Sequence, residues 1–441
     1  MMNDQLSIYQ HPVRLLQDLI RFDTTNPPGN EAACIAYVDD LLTGAGIETT
    51  LLARDPERPN LVARLPGRGD APPLLLQGHV DVVTTENQDW RYPPFEGRLV
   101  DGYVWGRGAL DMKGGLAMML AALLRARAEG RSLPGDVVLA VLSDEETGGA
   151  LGARFLVEEH PHLFEGVRYA LGEVGGFSLH LGGRRFYPIQ VAEKIMSAWQ
   201  TTLRGPGGHG SQPLRGGAMA RLGRILTRLE EQPLPLHVTP VVRQMIETMA
   251  PAVPGPTRTL LNQLLDPATA DGAIHELGPV GGFFESMLRN VVNPTIVRGG
   301  HKINVIPSEI RLQLDTRLLP GYTADDMMAE VRQVVGEDLE YESVMYDPHP
   351  VEIDMGLFET LAGVLRQADP EGVPLPFLMP AGTDGRLFAR LGIQPYGFLP
   401  MKLPPEINLL QAIHAADERI PVEALDFGTE AIYQVLQRIG G

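Results

Sequence analysis

Two histidines and a set of carboxylates stand in this chain where they could hold metal ions. His79 follows the apolar run Leu74–Leu76 in "LLLQGHVDVV", and Asp111 follows "YVWGRGAL". Glu145 and Glu146 follow "VVLAVLS", Glu173 follows "YALG", and His414 stands in the late stretch "AIHAADE". In open α/β sheets, ligands collect beyond the carboxyl ends of the strands. These groups sort to predicted strand ends or loops, most with a glycine nearby that permits a sharp turn. Each alone has an ordinary explanation: His79 as a hydrogen-bonded core residue, Asp111 as the cap of a helix beginning near Lys113, Glu173 as a loop charge. Solvated charges, however, have no reason to recur at the same end of successive strands.

The residue types narrow the chemistry. Imidazoles and carboxylates without a thiolate suit zinc, and also cobalt or manganese. Three carboxylates and two histidines exceed the ligand set of one catalytic zinc, and suit two ions ~3.5–4 Å apart if one carboxylate bridges and a water is shared. Asp111 is the natural bridge, because the start of a helix holds its short side chain in place. The acidic row Asp144-Glu145-Glu146 is costly to ionise unless a cation is near. Adjacent side chains leaving a strand point apart, so Glu146 can ligate while Glu145 faces the water as general base. Asp81 suits another task, accepting a hydrogen bond from the second ring nitrogen of His79.

The elements that must position these groups are legible in outline. "VRLLQDLIRF" and "EAACIAYVDDLLTGAG" have helical spacing. "NLVARL", "PLLLQGH" and "DVVLAVL" read as strands, the last two continuously apolar, as in a sheet covered on both faces. "GGLAMMLAALLRARAEG" reads as a strong amphipathic helix, and "ALGARFLVEEH" as another helix. Strands alternating with helices predict an α/β domain with a mostly parallel central sheet flanked by helices. From about Lys194 the pattern changes. "IMSAWQTTLRG" alternates, "HKINVIPSEIRLQLDTRLLPG" reads as two strands around a proline turn, and "GAMARLGRILTRLEEQ" and "TADDMMAEVRQVVG" are helical. This predicts an inserted α+β unit with an antiparallel sheet. The α/β style returns after about Asp354, so the expected division is 1–193, 194–350 and 351–441, one domain inserted in another. A proline-rich stretch from Pro233 to Leu277 has helical pieces without a clear period.

A chain of 441 residues exceeds the ~250–300 at which a single core stops growing. Hydrophobic residues make up 44% and charged residues 21%, and the net charge is −18. That charge argues against nucleic acid or an anionic membrane as partner. The single cysteine, Cys34, excludes an internal disulfide and a thiolate zinc site. The N-terminus lacks the pattern of a signal peptide and no apolar stretch approaches a membrane span, so the expected compartment is the cytoplasm.

In order along the chain, "GHVDVV", "GRGALDMKGG", "SDEETGG", "GPGGHGSQP", "NVIPSE", "AGTDGR" and "IHAADE", preceded by "DLIRFDTTNPPGNE", give the chain a resemblance. It is similar to the co-catalytic zinc metallopeptidase family that includes aminoacylase, acetylornithine deacetylase, succinyl-diaminopimelate desuccinylase, glutamate carboxypeptidase and carboxypeptidase S. The extension from Pro233 to Leu277 resembles the carboxypeptidase S-like branch. The resemblance implies a catalytic domain interrupted by a lid and dimerisation domain. It implies one Zn2+ on His79, Asp111 and Glu173 and another on Asp111, Glu146 and His414, with Co2+ or Mn2+ as substitutes. Glu145 would be the general base and Asp81 the partner of His79. His209 would stabilise the oxyanion in the partner subunit's site. Arg317, Asn304, Gly382 and Thr383 would contact substrate, though an ion pair is an equal reading of Arg317. The implied activity is hydrolysis of an amide bond in a small peptide or an N-acyl amino acid, by a homodimer formed through the lid.

Three rival readings fare worse. "GRGALDMKGG" lacks the spacing of a dinucleotide fingerprint, and its aspartate would repel phosphates. "GHGSQP" and "GGFSLH" do not supply a nucleophile elbow. A catalytically silent relative would be expected to lose its base, and Glu145 is present.

Overall fold

The computed structural model of the chain describes residues 7–348, 350 and 352–440. The chain forms two compact units: Met1–Ala192 with Glu352–Phe377 and Thr383–Gly441, and Glu193–Val351 with Leu378–Gly382. Val351, where the third sequence segment was expected to start, lies outside the described residues.

The first unit is built on a mixed sheet. Its strands run in the order Glu48–Leu52, Asn60–Leu65, Val137–Leu142, Leu74–His79, Tyr169–Gly172, Gln394–Gly397, Arg184–Glu193 and Val373–Met379. The four strands from Val137–Leu142 to Gln394–Gly397 pair in parallel. Those on the Asn60–Leu65 side, and Arg184–Glu193, join antiparallel. The parallel pairing expected of the sheet runs through these four central strands, where Leu74–Leu76 and Val137–Leu142 read as the apolar runs of strands covered on both faces. Leu74–His79 and Val137–Leu142 are buried at every position. On one face Leu75, Val138, Ala140 and Leu142 meet Phe155 and Leu156 of helix Ala153–Glu159 and Leu387 and Phe388 of helix Gly385–Ala389.

Against strand Leu74–His79 lies helix Lys113–Ala128, itself packed on helices Pro12–Ile20 and Val422–Leu436. The sequence suggested an amphipathic helix here. The structure corrects this: residues 113–124 are buried on all sides, and only the last turn, with Arg125 and Arg127, reaches the surface. A helix apolar all round is a core helix, and the arginines of its final turn gave it an amphipathic look. Its first turn follows directly on Asp111.

The second unit carries a four-stranded antiparallel sheet in the order Val291–Arg298, Glu309–Leu318, Ile195–Arg204, Tyr341–Asp347. Ile195–Arg204 alternates buried and half-buried side chains, as its sequence predicted. Its buried set, with Leu312 and Leu314, packs against Leu222 and Ile225 of helix Ala218–Glu231 and Met327 and Val331 of helix Ala324–Val335. The proline-rich extension forms helices Pro240–Met249, Gly255–Gln263 and Ala270–Glu276, and helix Pro279–Leu288 follows it. Among the described residues no helix is long and apolar enough to cross a membrane.

Candidate active site

The parallel strands of the first unit end where the sequence placed its chemistry. His79 is the last residue of its strand, and Glu173 follows Tyr169–Gly172 directly. Past Val137–Leu142, Asp144 adopts a left-handed backbone (φ 71°), and Glu145 and Glu146 open a single turn of 3-10 helix. Asp111 precedes helix Lys113–Ala128 without capping it. That disposes of the ordinary explanation for this aspartate.

His79 is buried, and its ring is oriented from behind. Nδ1–H donates to the carbonyl oxygen of Asp81 at 2.9 Å, with the Asp81 carboxylate farther off at 3.5 Å. The expected carboxylate partner is therefore mainly a backbone one. Nε2 is left facing Asp111 Oδ1 at 3.2 Å and Glu173 Oε2 at 3.4 Å. On the other side, His414 Nε2 lies 3.1 Å from Asp111 Oδ2 and 3.4 Å from Glu146 Oε2. The two oxygens of Asp111 thus divide between the two histidines, each of which has one further glutamate.

Charges are tightly coupled in this cluster. Burial alone would lower the His79 pKa, but Asp111, Asp81 and Glu173 raise it well above its usual value. Asp111 and Glu146 raise His414 to about 10. Asp111 is held low despite its burial by the two imidazoles. Burial and the charge of Glu173 push Glu145 well above the carboxylate range, and burial raises Glu173 itself.

This arrangement fits a pair of metal ions. Donor atoms of His79, Glu145 and Glu173 lie within 4.8 Å of one another, as do those of His79, Asp111 and Glu146. Two nitrogen or oxygen donors on one tetrahedral ion, each ~2.0–2.1 Å from it, are about 3.3 Å apart, which is the spacing of the imidazole–carboxylate contacts here. Glu146 Oε1 is buried without a hydrogen-bond partner among the described residues, as expected of an oxygen awaiting a cation.

Beneath the acidic turn lies a polar network that sequence reasoning did not single out. Asp81 spends its carboxylate there: Oδ1 accepts the Glu145 N–H and Oδ2 the Glu146 N–H, both at 3.1 Å. Asn26 Nδ2 donates to Asp81 at 2.8 Å and to Asp144 at 3.3 Å. Arg58 pairs with Glu31 at 2.6 Å and with Asp144 at 3.0 Å. Asp144 is therefore structural, with Arg58 as its partner cation. The stretch "DTTNPPGNE" carried the signal, a run of polar residues that the structure buries at Thr24, Asn26 and Glu31. Asp384 was also missed. It is buried, both its oxygens lack a hydrogen-bond partner among the described residues, and burial raises its pKa to about 7.

The remaining candidates are not gathered with these. His209 and Asn304 are exposed in the second unit, on a two-stranded ribbon where His209 pairs with Val305 and the Asn304 carbonyl accepts the Gly210 N–H at 2.9 Å. Arg317 forms a two-pronged ion pair with Asp315 at 2.9 and 3.0 Å. Gly382 is half-buried in the second unit, whereas Thr383 is buried in the first and accepts the Gly385 N–H.

Comparison with known proteins agrees with this geometry. Residues 75–438 match the model of peptidase family M20/M25/M40. A probable carboxypeptidase S-like 2 from Dictyostelium discoideum is 28% identical over 80% of this chain and 68% of its own. Aminoacylase-1 from Sus scrofa is 24% identical over 98% of this chain and 96% of its own. Among solved structures, the M20 family metallo-carboxypeptidase Sso-CP2 from Sulfolobus solfataricus superposes with a TM-score of 0.69 at 16% identity, covering 97% of this chain and 98% of that one. A match running from the strand that carries His79 to beyond His414 is what makes this chain a member of peptidase family M20/M25/M40, a metal-dependent hydrolase of amide bonds.

Proposed function

We propose that the first unit is a di-zinc catalytic domain and that it cleaves the amide bond of an N-acyl amino acid or a small peptide. The observation that carries this is the sharing of Asp111 between His79 and His414. One ion would be held by His79, Asp111 and Glu173, the other by Asp111, Glu146 and His414. When bound, such a pair acidifies water toward a pKa of ~7 and polarises the scissile carbonyl. Glu145 is the general base: its carboxylate takes the proton of the attacking water and passes it to the leaving nitrogen. Asp81 holds the backbone of Glu145 and Glu146 in register, and its carbonyl keeps Nε2 of His79 free of a proton and turned toward the ions.

The second unit serves as lid and dimerisation domain. In the homodimer, His209 and Asn304 reach the substrate, His209 at the oxyanion. Their exposure supports this reading. Gly382 and Thr383 line the substrate pocket. Arg317 holds a substrate carboxylate only by exchanging Asp315 for it, and of its two readings the ion pair has the direct support. The single buried cysteine is in keeping with the reducing cytoplasm.

The deciding experiment strips the protein with a chelator, reloads it with Zn2+, Co2+ or Mn2+, and assays N-acyl amino acids and dipeptides while the bound metal is counted. Two ions per chain and metal-restored hydrolysis are expected. Two ions without hydrolysis of any substrate would instead identify a silent relative.

A further inference from the structure

Glu418 closes the motif "IHAADE" four residues after His414, yet no metal role falls to it. It is 1% exposed, and so is Arg107, the residue it pairs with at 2.6 Å. Burying two charges costs more than an exposed pair returns, and such pairs are often replaceable by apolar residues without loss of stability. What this pair holds is therefore more telling than the attraction within it.

Each partner also hydrogen-bonds the backbone beside a proposed ligand, while Arg107 Nε is left without a hydrogen-bond partner among the described residues. Glu418 Oε1 accepts the N–H of Leu110 at 2.7 Å and of Asp111 at 3.1 Å, and Oε2 accepts that of Gly108 at 3.2 Å. The turn that presents Asp111 is thus wound around this carboxylate. Arg107 faces the other way. Nη1 donates to the Ala415 carbonyl at 3.2 Å, and Nη2 to the His414 carbonyl at 3.3 Å and to Gln88 Oε1 at 2.8 Å. Gln88 Nε2 donates in turn to the same His414 carbonyl at 2.9 Å. His414 needs such support. It stands in a loop, half-exposed, with a left-handed backbone (φ 62°), whereas His79 is fixed by its strand.

We propose that Arg107 and Glu418 are positioning residues, a buried ionic clamp that locks the Asp111 turn to the His414 loop and so bears chiefly on the ion held by Asp111, Glu146 and His414, two of whose three ligands it supports. This rests on the two-ion reading above. The other ion shares Asp111 but takes His79 and Glu173 from the strand ends, so only one of its three ligands rests on the clamp.

The test is a calorimetric Zn2+ titration of the metal-free protein and its variants, with folding followed by circular dichroism. Wild type is expected to take two Zn2+ per chain. In Glu418→Gln the site that includes His414 weakens by about 10–100-fold, the usual effect of removing support behind a metal ligand, and the site that shares only Asp111 with the clamp weakens less. Arg107→Met/Glu418→Leu, which leaves no orphaned charge and so folds even where the single variant does not, is expected to show the same selective loss. Gln88→Ala, at the rim of the clamp, is expected to show a smaller loss at the same site. Two undiminished sites in either folded clamp variant, or equal weakening of both, would overturn the clamp and leave a structural ion pair. Fewer than two Zn2+ on the wild type would overturn the two-ion reading, and the clamp with it.

Discussion

Glu145 and Glu146 are adjacent and chemically alike, yet they have different work. Both N–H groups are fixed by one aspartate, Asp81, so the two side chains leave a common anchor in different directions. Glu146 reaches His414, while Glu145 is pushed well above its usual pKa by burial and by Glu173. Glu145→Gln is expected to leave metal stoichiometry unchanged and to lower kcat by about 10²–10⁴-fold, the usual contribution of a general base. Near-normal turnover would remove Glu145 from that role. Lys194, in the second unit, permits a pH test unconnected with metal. Its ammonium is buried against the Arg289 carbonyl, and burial lowers its pKa from 10.5 to about 7. The unfolded chain therefore binds a proton that the native one releases between those values, and stability rises with pH across that window. Below it both states are protonated and the full cost of the buried charge remains. Denaturation midpoints are expected to climb from pH 7 toward 10 in the wild type, with a flatter climb in Lys194→Met; equal slopes would contradict this. His79, Asp111, Glu146 and Glu173 stood out in sequence because they follow apolar runs, whereas His414 stands in a loop. Asn26, Arg58 and Glu418 did not stand out, because their meaning lies in partners far along the chain.

Among the elements, the support beneath the acidic turn comes from outside the strands, from the segment before Glu48–Leu52 and from the loop after it. Arg58 and Glu31 form a buried pair that also engages Asp144. Arg58→Ala strands two carboxylates in the interior, and a loss of about 3–5 kcal/mol is expected in denaturant titration; a loss below about 1 kcal/mol would mean that water reaches Glu31 in the native state. The parallel pairing at the centre of the sheet was expected from apolar runs alternating with helices, whereas the order of the strands was not. Two further features were not expected. Helix Lys113–Ala128 was read as amphipathic because polarity at its final turn resembles a polar face. The extension's helices were obscured because prolines at first turns, Pro240 and Pro256, look like breakers in sequence while being ordinary helix starts.

For the molecule as a whole, the carboxylates gathered in the site are part of a net charge of −18. Without a cation their mutual repulsion is carried by the fold. Ions that bind the native state alone stabilise it by about 2.7 kcal/mol per site at one hundred times Kd. Chelation is therefore expected to lower the unfolding temperature by several degrees as well as to abolish hydrolysis, and Zn2+ to restore both; an unchanged transition would show that no ion is held in the pocket. The two-unit organisation was visible as a change of style near Lys194, whereas the return of Leu378–Gly382 to the second unit was too short to leave a pattern.

Arg107 and Glu418 are 311 residues apart along the chain. At a synthesis rate of about 5–20 residues per second, the first waits roughly 15–60 s for the second. Throughout that interval the N–H groups of Gly108, Leu110 and Asp111 have no carboxylate to wind around, and His414 does not yet exist. The ribosome therefore delivers the strands of the first unit's mixed sheet while its reactive heart is still open, and the enzyme is inert until His414 and Glu418 emerge.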